Sequence, residues 1–137
     1  MKLEDLQVEL EADMQINPLQ LQYDASQIPV IWSKWLRYYS TAKKKLIQLD
    51  ANKKALVKDR MLFYTARGDH DEICPVVYEK SELKVAISGD KLIIDCDKLI
   101  EYFTLIAEFT GKALDVIKNK GYSIKNMIEI RQMESGK

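Results

Sequence analysis

Residues 91–117 read KLIIDCDKLIEYFTLIAEFTGKALDVI. Leu92, Cys96, Leu99, Phe103, Ile106, Thr110, Ala113 and Ile117 step alternately by four and three, a heptad seam of almost four repeats. Ile93, Ile100, Ala107 and Leu114 recur every seven residues beside it, so the apolar face is wider than a two-stranded seam. Such a face packs on the chain's own helices or against a neighbouring subunit, and the pattern alone leaves both open. Gly121 predicts the end of this helix near Lys120. Ser123 then caps a short last helix with Ile124, Met127, Ile128 and Arg131 on one side.

The rest of the chain also reads as helix. Only five Gly and three Pro punctuate 137 residues, of which 47% are hydrophobic. Leu3, Leu6, Leu10 and Met14 fit an amphipathic helix that ends before Asn17-Pro18. Pro29 suits the first turn of a second helix running to about Tyr39, with Trp32, Trp35, Leu36 and Tyr39 on its apolar face. Ser40 or Thr41 can cap a third, on which Leu46, Leu49, Lys53, Leu56, Arg60 and Phe63 follow one rhythm. Ala66-Arg67-Gly68-Asp69 reads as its C-terminal glycine and a loop. Ser81 starts a short helix that Gly89 breaks, and Asp90 caps the long seam helix after it. A β-hairpin over residues 83–94, turning at Ser88-Gly89-Asp90, is the competing reading. The expected fold is therefore mainly α, with α+β as its alternative. The expected division is a helical nucleic-acid-binding lobe at 1–80 and a helical oligomerisation lobe at 81–137.

Charge is segregated along a chain whose formal net charge is zero. Residues 34–67 carry ten Lys/Arg and two acids. The ten are Lys34, Arg37, Lys43, Lys44, Lys45, Lys53, Lys54, Lys58, Arg60 and Arg67. Residues 1–24 carry one Lys against six acids, residues 25–33 no charge, and residues 69–108 four Lys against ten acids. A cationic block with Tyr and Phe set into it is what a polyanion with exposed bases would meet. Mutual neutralisation of acidic and basic helices within one fold explains part of the same pattern.

Few residues point to catalysis. The single histidine, His70, sits among Asp69, Asp71 and Glu72, where an acidic turn is a simpler reading than a metal site. No GxxxxGK[ST] is present, so no P-loop is expected. Cys74 and Cys96 lack metal spacing and a partner base, and a reduced intracellular setting follows. Asp95 and Asp97 read as a solvated helix face. No run approaches a membrane span, and the acidic amphipathic N-terminus is not a signal peptide. No enzyme activity and no cofactor are expected.

Within the basic helix, Arg60, Tyr64 and Arg67 share a face with Lys53 and Val57 above them. Lys54, Lys58 and Met61 make the adjoining stripe. Phosphates need mobile cations along such a face, and a base needs a planar ring beside them. A salt-bridged surface helix with Phe63 and Tyr64 in the core fits the same residues.

The whole chain resembles the UvsY family of recombination mediators from T-even type phages. The likeness is carried by Leu3-Glu4-Asp5-Leu6-Gln7, Leu21-Gln22-Tyr23, Ser33-Lys34-Trp35-Leu36, Lys58-x-Arg60, Phe63-Tyr64 and Arg67-Gly68-Asp69. Downstream it continues through Tyr78-Glu79-Lys80-Ser81-Glu82, Asp90-Lys91, Ala113-Leu114-Asp115, Ile124-Lys125 and Gly136-Lys137. The resemblance implies single-stranded DNA binding, a ring-like homo-oligomer of six or seven subunits, and no ATPase or nuclease activity. It also implies loading of a recombinase onto DNA covered by single-strand DNA-binding protein, in the cytoplasm of an infected bacterial host. By the same resemblance Lys58 and Arg60 contact DNA; Lys53, Lys54, Tyr64 and Arg67, placed near them by the helical spacing, are the further candidates. Asp59 departs from the family's pattern between the two and lowers the local potential. Leu92, Leu99, Phe103 and Ile106 are the expected oligomerisation residues. A non-catalytic assembly factor without DNA binding is the alternative function.

Overall fold

The computed structural model describes residues 1–67 and 73–136. These residues form four helices, α1 (Leu3–Asp13), α2 (Leu21–Tyr64), α3 (Lys80–Ser88) and α4 (Lys91–Glu134), with no strand among them. The mainly helical reading holds. The hairpin alternative does not: α3 and the start of α4 occupy residues 83–94, and Asp90 caps α4 by accepting the Leu92 N–H at 2.9 Å.

Two expected helix breaks are absent. Pro29 lies inside α2, past its second turn, and Ser40-Thr41 passes without interruption. Proline removes the donor to the Ala25 carbonyl and costs about 3 kcal/mol in a helix interior. A longer-range pattern offsets that local penalty. Leu21, Ile28, Trp35, Ala42, Leu49, Leu56 and Phe63 recur every seven residues along α2; four of them are buried and three half-buried.

Gly121 likewise does not end α4, so the predicted short C-terminal helix is its continuation. The glycine serves packing: a Cβ there would sit 3.4 Å from Cγ2 of Ile28. Gly111 is tighter still, its missing Cβ 3.2 Å from the Tyr39 ring. The stop expected for α2 at Gly68 lies outside the described residues. α2 ends sooner, with Ala66 at φ 58°. The Arg67 N–H donates to the Leu62 carbonyl at 2.7 Å and the Ala66 N–H to that of Phe63 at 3.1 Å, a Schellman arrangement with alanine in the usual glycine place.

The helices pack into two units, Met1–Ala42 with Leu105–Lys137, and Lys43–Thr104. These are packing units; which part of the chain binds DNA is a separate question. In the first, Leu6, Leu21, Trp35, Ala42, Ile106, Ala107, Ala113, Ile117 and Ile124 are buried. The predicted seam is buried from Ile106 onward, and Lys120 occupies its next position. That lysine closes α1, donating from Nζ to the Asp13 carbonyl at 2.6 Å, where a cation meets a helix C-terminus favourably. Lys34 bridges Glu9 and Asp13 at 3.3 and 2.6 Å, and the Trp35 indole N–H donates to Asp13 at 2.8 Å. Here the acidic N-terminus does neutralise part of the basic block.

In the second unit the buried set among the described residues is smaller: Leu49, Ile93 and the charged Asp90. The heptad row changes. Ile93 is 3% exposed, whereas Leu92 and Leu99 are each 49% exposed.

Candidate nucleic-acid interface

The second unit holds the six predicted DNA-contact residues, and the turn of α2 sorts them. At about 100° per residue, Lys53, Arg60 and Tyr64 fall on one side of the helix and Lys54 and Lys58 about 120° round from them. Within the first group Arg60 and Tyr64 face inward, and Lys53 lies at the border. Arg60 Nε donates to Asp90 Oδ2 at 2.9 Å and the Tyr64 hydroxyl donates to the same oxygen at 2.7 Å. The Arg60 guanidinium also stacks 4.2 Å from the Phe63 ring centroid. Lys53 pairs with Asp97 at 2.7 Å.

Asp90 is the hub of this network. Burial alone would raise its pKa. Hydrogen bonds from Tyr64, Arg60 and the Leu92 amide, with the charge of Arg60, outweigh that and hold it below the ordinary carboxylate value. Burial would lower Arg60, but the bond and charge of Asp90 raise it. The bond to Asp90 first, and burial second, push the Tyr64 hydroxyl up. Asp90 takes Arg60 through Nε, and the Arg60 side chain is largely covered.

The second group faces solvent. Lys44, Ile47, Ala51, Lys54, Lys58 and Met61 step by three and four and are all exposed. They make one stripe about 26 Å long at 1.5 Å per residue. Lys54 has only a surface partner, Asp50 at 3.3 Å one turn away, a kind of pair worth little. Lys44 and Lys58 make no ion pair among the described residues. Arg67 is exposed just beyond the helix. The predicted stripe of Lys54, Lys58 and Met61 therefore extends back to Lys44, a continuation the same spacing carries.

Tyr64 is not on this stripe. Its ring packs edge-on to Phe63 and Tyr78, at centroid distances of 5.2 and 5.6 Å. Among the oligomerisation candidates, Leu92 and Leu99 are exposed, Phe103 is half-buried under Lys45 at 5.9 Å, and Ile106 is fully buried in the first unit. Sequence reasoning gave Asp90 only a capping role and Asp97 only a solvated one; both also hold cations of α2.

No group of side chains among the described residues could hold a metal ion, and no described helix is long and apolar enough to cross a membrane. The candidate turn at Asp69, His70, Asp71 and Glu72 lies outside the described residues. Cys74 and Cys96 are free thiols.

A mainly helical chain with a cationic stripe along one side of its long second helix is the class of protein this geometry defines. Residues 9–137 match the family model described as "Recombination, repair and ssDNA binding protein UvsY". The chain is 41% identical to the recombination protein uvsY of Enterobacteria phage T4 over 137 residues, all of both chains. Two crystal structures of the bacteriophage T4 recombination mediator protein UvsY are similar in fold. Lattice type II matches at TM-score 0.88 with 40% identity, covering 98% of each chain. Lattice type IV matches at TM-score 0.89 with 38% identity, covering 97% of this chain and 99% of the other. This chain belongs to the UvsY family.

Proposed function

We propose that this chain binds single-stranded DNA and acts as a recombination mediator, loading a recombinase onto DNA covered by single-strand DNA-binding protein. The observation that carries the reading is the open stripe of Lys44, Lys54 and Lys58 in a chain of a family described as single-stranded DNA binding. Exposed Ile47 lies between its lysines and exposed Met61 at its end, so a flexible strand can lay phosphates on cations and base faces on apolar surface. Lys58 makes a direct contact. Arg60, held in place by Asp90, adds positive charge beside it. Lys53, Tyr64 and Arg67 border the site.

Each subunit then offers a modest strip, and a ring of six or seven copies makes binding tight by repetition. Residues 1–80 carry this DNA contact and residues 81–137 self-association, through Leu92, Leu99 and Phe103. Ile106 is spent on its own core. The task needs no bond-making and no cofactor, and its setting is the cytoplasm of an infected bacterium.

The test is an anisotropy titration of a labelled oligothymidine with the purified chain at low and moderate salt. Binding that weakens with salt, with a duplex of equal length competing poorly, is expected. An assembled chain with no affinity at low salt would leave a protein-only assembly factor as the function.

A further inference from the structure

The stripe of the second unit supplies cations and aliphatic surface but no open aromatic face, because Phe63 and Tyr64 turn inward. Such a platform lies in the first unit. Ile28, Pro29 and Trp32 of α2 face Lys118, Gly121, Tyr122 and Lys125 of α4 across a groove of about 440 Å³. On α4 these positions are i, i+3, i+4 and i+7, so they share one face. Trp32 is 37% exposed and Tyr122 57%. Trp35, by contrast, is fully buried with its N–H on Asp13.

Charge gives the groove a sign. Residues 116–128 contain three lysines and no acid, and residues 25–33 of the opposite wall carry no charge. One of the three, Lys120, is buried and used on the Asp13 carbonyl. Lys118 and Lys125 are exposed, about 10 Å apart along the helix axis, and neither makes an ion pair among the described residues. Gly121 matters here as well. Without a side chain it lets Ile28 approach and leaves the floor of the groove open between the two rings.

We propose that this groove is a nucleotide-stacking subsite: a base of single-stranded DNA lies against Trp32 and Tyr122 while the flanking phosphates pair with Lys118 and Lys125. The chemistry that selects this ligand is the combination of π faces with cations at the rim. A purely apolar partner helix would leave both lysines facing nothing, and a duplex would keep its base faces covered. The subsite rests on the single-strand binding reading above and adds residues from beyond position 80 to it.

Tryptophan emission of the full-length chain reads the subsite directly, since Trp35 is shielded and Trp32 is open. Oligothymidine should quench the emission, and the quench should vanish in Trp32→Phe. Trp32→Ala should weaken binding roughly tenfold, within the range that one stacked base supplies. Lys118→Ala with Lys125→Ala, both at exposed positions, should flatten the log–log salt slope by roughly 1.4, two single-strand contacts. Binding seen by anisotropy without a Trp32-dependent quench overturns the subsite alone. So does an unchanged salt slope in the double lysine variant. Altered sedimentation of that variant without DNA would assign the groove to a protein neighbour and also overturn it. Absence of any oligonucleotide binding by the unmodified chain overturns the function reading, and the subsite with it.

Discussion

The two packing units draw on the same two long helices and are held by different forces. In the first, Trp35, Ile106, Thr110, Ile117 and Ile124 are each under 2% exposed, a hydrocarbon core with a satisfied hydroxyl at Thr110. In the second, the buried residues among those described are Leu49, Ile93 and a carboxylate. The heptad pattern runs through both and is blind to the difference. An apolar row states only that something must cover it; whether a helix of the same chain does so depends on which elements lie alongside.

The strongest way to break this comparison is to remove the charge at the second unit's centre. Asp90→Ala leaves Arg60, whose side chain is only 17% exposed, without its partner, and also strips the α4 cap. The expected loss is about 3–5 kcal/mol in urea unfolding, the scale of breaking a buried pair. A drop under about 1 kcal/mol, the ordinary cost of a lost cap, would mean that the small core around Leu49 and Ile93 suffices. The same carboxylate sets an acid limit. Its folded pKa lies below the unfolded value, so its stabilisation is complete above the ordinary value of 3.8 and is lost as pH falls through the folded one. Unfolding midpoints of the parent should fall across that window, and those of the Asp90→Ala variant should fall less.

A pair of truncations on one seam sharpens the contrast. Ile117→Ala should cost about 2–5 kcal/mol, because it opens a cavity in a closed core. Leu99→Ala, one half exposed, should change the stability of the unassembled chain by only about 0.5 kcal/mol. Its effect should appear instead in sedimentation, as a smaller assembly. Equal costs at the two positions would show that Leu99 is covered within its own chain.

Helix type was legible among the described residues, and so were the end of α1 before Asn17 and the break at Gly89-Asp90; the breaks expected within the two long helices were misleading. Pro29, Ser40-Thr41 and Gly121 are sound local stop signals, and each is overruled by contacts made far along the chain. The seven-residue row from Leu21 to Phe63 was in the sequence, crossing the first two of those stops; reading each stop separately hid it. For Gly121 no local pattern suffices, because its purpose is the 3.4 Å approach of Ile28, from the far end of the sequence. The site was half legible. Composition located the cationic block, and spacing divides it into two faces. Which face turns inward depends on Asp90 and Asp97, supplied by α4 and its cap.

That division yields a milder test within the second unit. Lys54→Ala with Lys58→Ala should weaken single-strand binding and flatten the salt slope by roughly 1.4, with the assembly intact. Lys53→Ala should leave the slope nearly unchanged, since its charge is already met by Asp97. Equal slopes for both variants would place the strand elsewhere and return the block to ordinary surface charge.

The smallest expected effect concerns how the two long helices stop. α4 ends with Gly136 at φ 75°, and α2 ends with Ala66 at φ 58°. Glycine takes that left-handed conformation freely, whereas alanine meets its own Cβ there. Ala66→Gly should therefore stabilise the second unit, by about 0.5–1 kcal/mol after the added freedom of the unfolded chain is deducted. The gain should appear as a higher urea midpoint with an unchanged slope, the sign that stability moved and the surface exposed did not. Gly136→Ala imposes the same strain next to residues 131–135, all exposed, where the last turn of α4 can fray without disturbing a core, so its cost should be smaller. A loss of stability in Ala66→Gly would mean that the methyl group makes a contact worth more than the strain it carries, and α2 would then end by packing rather than by its backbone cap.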